Sequence, residues 1–182
     1  MGRIVILSGP SGVGKDTLLI EWMAANEDVI KVVTYTTRAP RVGEVNGVDY
    51  HFVDRDTFMA MAEAGEFLEW KEVYGNFYAT PLRDIEGLIG AGKIAVLKID
   101  VQGALDVMQL CPDALTIFID APSWEELERR IRDRGQDAAE AIERRLKTAT
   151  LELESAAQYQ HRVVNASVPE AVAELQRIVT AT

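Results

Sequence analysis

Gly9-Pro10-Ser11-Gly12-Val13-Gly14-Lys15-Asp16-Thr17 is the stretch that decides the fold. An apolar run, Ile4-Val5-Ile6-Leu7, precedes it, and a helical pattern, Thr17-Leu18-Leu19-Ile20-Glu21-Trp22-Met23, follows. Strand, glycine loop, lysine and helix together are the setting in which a phosphate-binding loop operates. Glycines let the backbone turn tightly enough for its N–H groups to converge on one point. The helix N-terminus adds partial positive charge at that point. Lys15 adds a full charge, placed to reach the β- and γ-phosphates of a nucleotide. One position departs from the usual pattern, which ends Gly-Lys-Ser/Thr with the hydroxyl on Mg²⁺. Here Asp16 stands in that place and the hydroxyl comes one residue later, at Thr17. A carboxylate beside a triphosphate is repelled unless a metal lies between them. Asp16 therefore either holds Mg²⁺, directly or through water, or simply favours the helix N-terminus.

Outward from this loop the chain alternates short β-rich runs with helical patterns. Val29–Thr34, Lys93–Asp100, Ala114–Asp120 and Arg162–Asn165 read as further strands. Near-continuous apolar strands separated by helices indicate a parallel sheet of about five strands covered on both faces, an α/β fold. Ser123-Trp124-Glu125-Glu126 matches a capping box. Thr80-Pro81 reads as a capping hydroxyl followed by proline at the first helical position. Ile142, Leu146, Ala149, Leu153 and Ala156 form one apolar stripe, and Pro169 opens a last helix.

The bulk numbers fit a single soluble domain. The chain has 182 residues, 48% apolar and 26% charged. A net charge of −10 argues against binding nucleic acid or an anionic membrane, but not against small phosphorylated ligands, which sense local charge. No apolar run approaches the ~20 residues of a membrane span. Met1-Gly2-Arg3 enters a strand directly, leaving no room for a signal peptide. The one cysteine, Cys111, excludes an internal disulfide. A cytoplasmic location is the expectation. His51 and His161 lack neighbours at metal spacing and read as structural or surface residues.

Residues 35–80 break the alternation. They comprise a glycine-punctuated polar stretch, a short helix from Asp54 to about Ala64, and two β-like pieces at 67–70 and 76–80. This is an inserted lobe, and long insertions in α/β folds usually carry function. Arg38 and Arg41 flank Pro40 within it, and Tyr50 and Tyr78 supply hydroxyls. The group suits a many-oxygened anion, since guanidinium groups bind such anions bidentately; two solvated surface arginines are the alternative. Arg130, Arg134 and Arg145 lie on the helical patterns either side of Gly135. They either pair with neighbouring acids or form a lid that brings charge over a transferring phosphoryl group.

Taken together, these residues resemble guanylate kinase over nearly the whole chain. The most specific part is Thr36-Thr37-Arg38-Ala39-Pro40-Arg41 through Gly43-Glu44-Val45-Asn46-Gly47-Val48-Asp49-Tyr50. Glu66-Phe67-Leu68-Glu69-Trp70, Gly75-Asn76-Phe77-Tyr78, Ile99-Asp100 with Gln102-Gly103, and Arg134-Gly135 with Arg144-Arg145-Leu146 also match. The resemblance implies ATP-dependent phosphorylation of GMP, with Mg²⁺ as cofactor and the two nucleotides as the binding partners. It implies that Gly9, Pro10, Ser11, Gly12, Val13, Gly14, Lys15, Asp16 and Thr17 hold the ATP phosphates, with Asn165 near the adenine. Arg38, Arg41, Tyr50 and Tyr78 would hold the GMP phosphate with Glu44 nearby. Thr34, Glu69 and Thr80 would read the guanine edge, with Asp100 on the same crevice. Asp16 and Asp100 are the candidate Mg²⁺ ligands. Lys15, Arg38, Arg130, Arg134 and Arg145 would stabilise the transferring charge. The implied divisions are a core at 1–34, 81–124 and 148–182, a GMP-binding lobe at 35–80 and a lid at 125–147.

Three residues depart from the family's pattern. Asp16 replaces a small residue, Lys98 stands where an acid is usual, and Ala79 replaces a glycine beside the base reader. The expectation is that Asp16 restores the acidic oxygen lost at 98, and that the Ala79 methyl restricts the backbone near the base. Two other functions compete with the first: a related kinase acting on a phosphorylated sugar, and a binding module without catalysis. Intact Glu69 opposes the former and Lys15 the latter.

Overall fold

A computed structural model describes residues 2–73, 75–133 and 139–181. In chain order the elements are β1 (Arg3–Ser8), α1 (Lys15–Ala25), β2 (Val29–Lys31), β3 (Tyr35–Thr36), β4 (His51–Phe52), α2 (Arg55–Glu63), β5 (Phe67–Val73), β6 (Asn76–Pro81), α3 (Leu82–Gly90), β7 (Ile94–Lys98), α4 (Val101–Leu110), β8 (Leu115–Asp120), α5 (Trp124–Asp133), α6 (Ala139–Glu154), β9 (His161–Val164) and α7 (Val168–Ala181). A one-turn 3-10 helix, Ser155–Gln158, joins α6 to β9.

Five strands form a parallel sheet in the order β2-β7-β1-β8-β9. Side chains alternate between faces along a strand, so each face gathers its own core. Val5, Leu7, Val96, Ile117, Ile119 and Val163 pack on one side with Leu18, Leu19 and Trp22 of α1 and with α5, α6 and α7. Ile6, Ala95, Leu97 and Phe118 pack on the other with Ile85 of α3 and Ala104 and Val107 of α4. This is the doubly covered α/β sheet that the apolar strand runs predict.

The inserted segment builds a second sheet, ordered β4-β3-β6-β5. β3 pairs parallel with β4, whereas β6 runs antiparallel to both β3 and β5. It has a small core of its own, Phe58, Phe77 and Ala79.

Several sequence expectations are corrected here. The strand expected over 29–34 ends at Lys31, and the strand expected over 93–100 ends at Lys98. Asp100 instead caps α4, its carboxylate accepting from the Gly103 N–H at 3.0 Å. Thr80 does not cap α3; Pro81 closes β6, and the Thr80 hydroxyl donates to Glu69. Ser123 does cap α5, accepting from the Glu126 N–H at 3.2 Å. His51 stacks on Tyr35 at 4.5 Å between ring centres, and His161 begins β9. No group of three metal-ligating side chains occurs among the described residues. None of their helices is long and apolar enough to cross a membrane.

Candidate active site

β1 delivers the chain to the glycine loop at the carboxyl edge of the sheet, where open α/β sheets bind ligands. Gly9 and Gly14 have φ of 140° and 89°, in the region that side chains disfavour. Space is short at both: a Cβ on Gly9 would lie 2.1 Å from the Ile119 carbonyl oxygen, and one on Gly14 2.7 Å from Asn165 Nδ2. Lys15 folds back so that its ammonium donates to the carbonyls of Gly9 and Pro10. Burial lowers its proton affinity below the ordinary lysine value.

Residues that follow β8 and β9 in the chain brace this loop. Asn165, just after β9, donates its side-chain amide to the Val13 carbonyl at 2.7 Å. Arg130 of α5 donates to the backbone carbonyl of Asn165 at 3.1 Å and pairs with Glu126 at 2.8 Å. Arg145 of α6 donates to the Ser11 hydroxyl at 2.7 Å. Leu127, Ile131, Leu146 and Ala149 are buried in the first core, so α5 and α6 are anchored while Arg130 and Arg145 face the loop. Arg134 lies outside the described residues. Glu152, two helical turns beyond Arg145, also points to the loop. Burial raises its pKa while the Lys15 charge and the Ser11 N–H oppose that rise. Sequence reading passed over Glu152, although its spacing of seven from Arg145 puts both on one helix face.

A second polar cluster lies in the second sheet and its loop. Arg38 forms a two-pronged pair with Glu44, at 3.0 and 2.8 Å. Its guanidinium sits over the Tyr50 and Phe52 rings at 5.4 and 5.8 Å. Tyr78 meets Tyr50 edge-on at 6.0 Å. The structure thus brings Arg38, Glu44, Tyr50 and Tyr78 together. Arg41 contributes its backbone N–H to Glu44 at 2.7 Å, and its side chain is exposed. Lys31, also missed in the sequence, holds the loop from β2, donating to the carbonyls of Val48 and Asp49 at 2.9 Å each.

Next to that cluster is a row of three polar side chains. Glu69 stands opposite Thr80 across β5 and β6. The Tyr35↔Ala79 register of β3 and β6, continued by one residue, brings Thr34 beside Thr80. The Thr80 hydroxyl donates to Glu69 Oε1 at 2.7 Å, and both threonines are buried. Burial pushes the Glu69 carboxyl up to about 7, with Thr80 working against it and Asp100 with it. Such a carboxylate can accept two parallel N–H donors from one edge of a planar ring.

A glycine loop at a helix start, an arginine–tyrosine cluster and a buried carboxylate thus share one chain. A family model described as guanylate kinase matches residues 1–182. The chain belongs to the guanylate kinase family. It is 46% identical to a guanylate kinase of Trichodesmium erythraeum, over 97% of this chain and 95% of the relative. It is 44% identical to that of Synechococcus sp. (strain JA-3-3Ab), over 97% of this chain and 82% of the relative. The solved guanylate kinase of Anaplasma phagocytophilum superposes with a TM-score of 0.80 at 37% identity, covering 99% of this chain and 85% of that one. A shikimate kinase of Bacteroides thetaiotaomicron shares the fold, with a TM-score of 0.51 at 15% identity.

Within the guanylate kinase family the three departures now have locations. The Ala79 methyl is buried in the lobe core with Phe58 and Phe77. It lies on the strand face opposite Thr80, so it packs away from the Thr34–Glu69–Thr80 row. Lys98, the last residue of β7, forms an ion pair with Asp16 in the first turn of α1. The two departures are therefore partners. Asp16 and Asp100 offer hard oxygen donors, as Mg²⁺ requires, but too few for a closed cage. The fit is to an ion that arrives largely held by phosphates and water.

Proposed function

We propose that this guanylate kinase transfers the γ-phosphoryl group of Mg·ATP to GMP, and to dGMP, by in-line attack of a phosphate oxygen. The observation that carries the acceptor assignment is the buried Glu69, held by Thr80 and adjoining the Arg38–Tyr50–Tyr78 cluster. Guanine presents N1–H and an exocyclic amine on one edge, and Glu69 accepts from both. Adenine has neither donor there, so it would strand a desolvated carboxylate. Sites of this kind reject the wrong partner by roughly four powers of ten.

The glycine loop amides and Lys15 hold the donor phosphates, with Asp16 and Thr17 at their edge. Asn165 acts by fixing the loop, since its amide is committed to Val13. Arg38, Arg41, Tyr50 and Tyr78 hold the acceptor phosphate, which displaces Glu44 from Arg38. Arg130, Arg145 and Arg134 neutralise the charge that spreads over the transferring group. Asp16 and Asp100 would hold Mg²⁺ when it is bound with ATP, and the ion would supply charge neutralisation at the donor phosphates. A GMP phosphate is already ionised at neutral pH, so the reaction needs no general base. Residues 35–80 act as the GMP-binding lobe and 125–147 as the lid, on the remaining core. A cytoplasmic location is part of the same reading, supported by the use of ATP and GMP as substrates.

A coupled assay with GMP, dGMP, AMP and a sugar phosphate tests the reading. Turnover of the guanine nucleotides alone is expected. Preference for the sugar phosphate, or tight GMP binding without any turnover, would overturn it.

A further inference from the structure

Three ammonium groups converge at the carboxyl edge of the sheet: Lys15, Lys31 and Lys98. Lys98 holds Asp16 at the start of α1, and its strand β7 lies between β1, which runs into the glycine loop, and β2, whose Lys31 grips the Val48–Asp49 backbone beside Tyr50; it therefore lies between the donor loop and the acceptor pocket. β-Sheet register explains the position. Lys98 pairs with Leu7, immediately before the chain turns into the glycine loop, while Lys31 leaves the neighbouring strand and reaches toward the Tyr50 ring at 5.9 Å.

The three lysines differ in commitment. Lys31 secures two loop carbonyls, and Lys15 is folded onto two others. Lys98 has Asp16, whose side chain is 66% exposed while that of Lys98 is 15% exposed. An ion pair with so exposed a carboxylate contributes little to stability. Packing three like charges together is unfavourable unless an anion belongs among them.

Building on the kinase reading, we propose that Lys98 is a further substrate-contacting residue. Its ammonium, parked on Asp16 in the free enzyme, moves onto the phosphate that sits between donor loop and acceptor pocket. Asp16 then serves as a tether that keeps the charge at the mouth of the loop. Asp49 and Glu44 face Lys31 and Asp100 faces Lys15; among the described residues the Lys98 ammonium bonds to Asp16.

The test uses the full chain with Lys98→Met, Asp16→Ser and the double variant. Calorimetric binding of GMP without metal and steady-state kinetics with Mg·ATP are both measured, after thermal unfolding confirms folding. Losing one charge-assisted contact predicts roughly 10- to 100-fold weaker GMP binding in Lys98→Met, with kcat lowered as well. In metal-free GMP binding Asp16→Ser is expected to cost less than about tenfold, since Asp16 touches Lys98 and not GMP; its Mg·ATP kinetics report the metal-holding role instead. The double variant should stay as impaired as Lys98→Met. Recovery of the double variant toward wild type would mean that Lys98 merely neutralises Asp16, and would overturn the proposal. So would wild-type GMP affinity in Lys98→Met. If Lys98→Met fails to fold, Lys98→Gln takes its place under the same criteria. Absence of GMP turnover in the wild type would count against the kinase reading, while the binding comparison would still decide the role of Lys98.

Discussion

Glu69 shows how one residue ties function to stability. Its carboxyl titrates near 7 instead of the ordinary 4.5 because the folded chain buries it. Only the ionised form accepts two donors from guanine. GMP binding should therefore weaken as pH falls through 7, seen as a rising KM for GMP at constant Mg·ATP. A KM flat from pH 6 to 8 would sink the assignment. Stability runs the opposite way. Between about 4.5 and 7 the folded state keeps a proton that the unfolded state has released, so stability falls as pH rises through that window. Glu69→Gln removes the penalty. Its gain should be near zero at pH 4.5 and on the order of 1–3 kcal/mol above pH 7, read as a higher Tm, while GMP turnover collapses. Equal Tm gains at both pH values would show that burial of the charge is not the cause.

At the scale of elements, the loop between β1 and α1 depends on a close approach as well as on backbone freedom. Gly14 and Gly43 have nearly the same φ, 89° and 90°. A Cβ on Gly14 would meet Asn165 Nδ2 at 2.7 Å, whereas one on Gly43 meets nothing within 4 Å. Both alanine variants suffer the left-handed backbone cost of roughly 1–2 kcal/mol. Gly14→Ala should lose more stability than Gly43→Ala and should weaken ATP binding, because Asn165 holds the Val13 carbonyl in place. Denaturant unfolding and nucleotide titration of the pair measure the difference; indistinguishable variants would remove Asn165 as the brace. The loop and its flanking strand and helix were legible in the sequence because periodicity, glycine spacing and lysine all act locally. Thr80 was misread for the same reason: its hydroxyl chooses between a local helix N-terminus and a carboxylate eleven residues away, and only the pairing of β5 with β6 decides. The Lys98–Asp16 ion pair, and the charge that Glu152 sets against Lys15, likewise reach across strands and helices in ways that spacing along the chain does not encode.

Across the whole molecule, two sheets with separate cores share one substrate path. The lobe touches the body through contacts such as the Lys71–Asp106 pair at 2.9 Å, while its interior is its own. Phe58 is fully buried there, its ring 4.9 Å from Phe67 and 5.3 Å from Phe77. Such a ring is worth about 3–5 kcal/mol on truncation to alanine. If lobe and body can open independently, that loss falls on the lobe alone. Phe58→Ala should then speed hydrogen exchange in β5 and β6 while β1, β7 and β8 stay protected. KM for GMP should rise by about tenfold or more, as the competent lobe becomes a minor fraction of the population. ATP binding at the glycine loop should change little, because none of its braces comes from the lobe core. Uniform loss of protection over both sheets would mean that lobe and body unfold as one unit, and a lobe that moves separately to bring the acceptor phosphate to Lys15 would no longer be tenable.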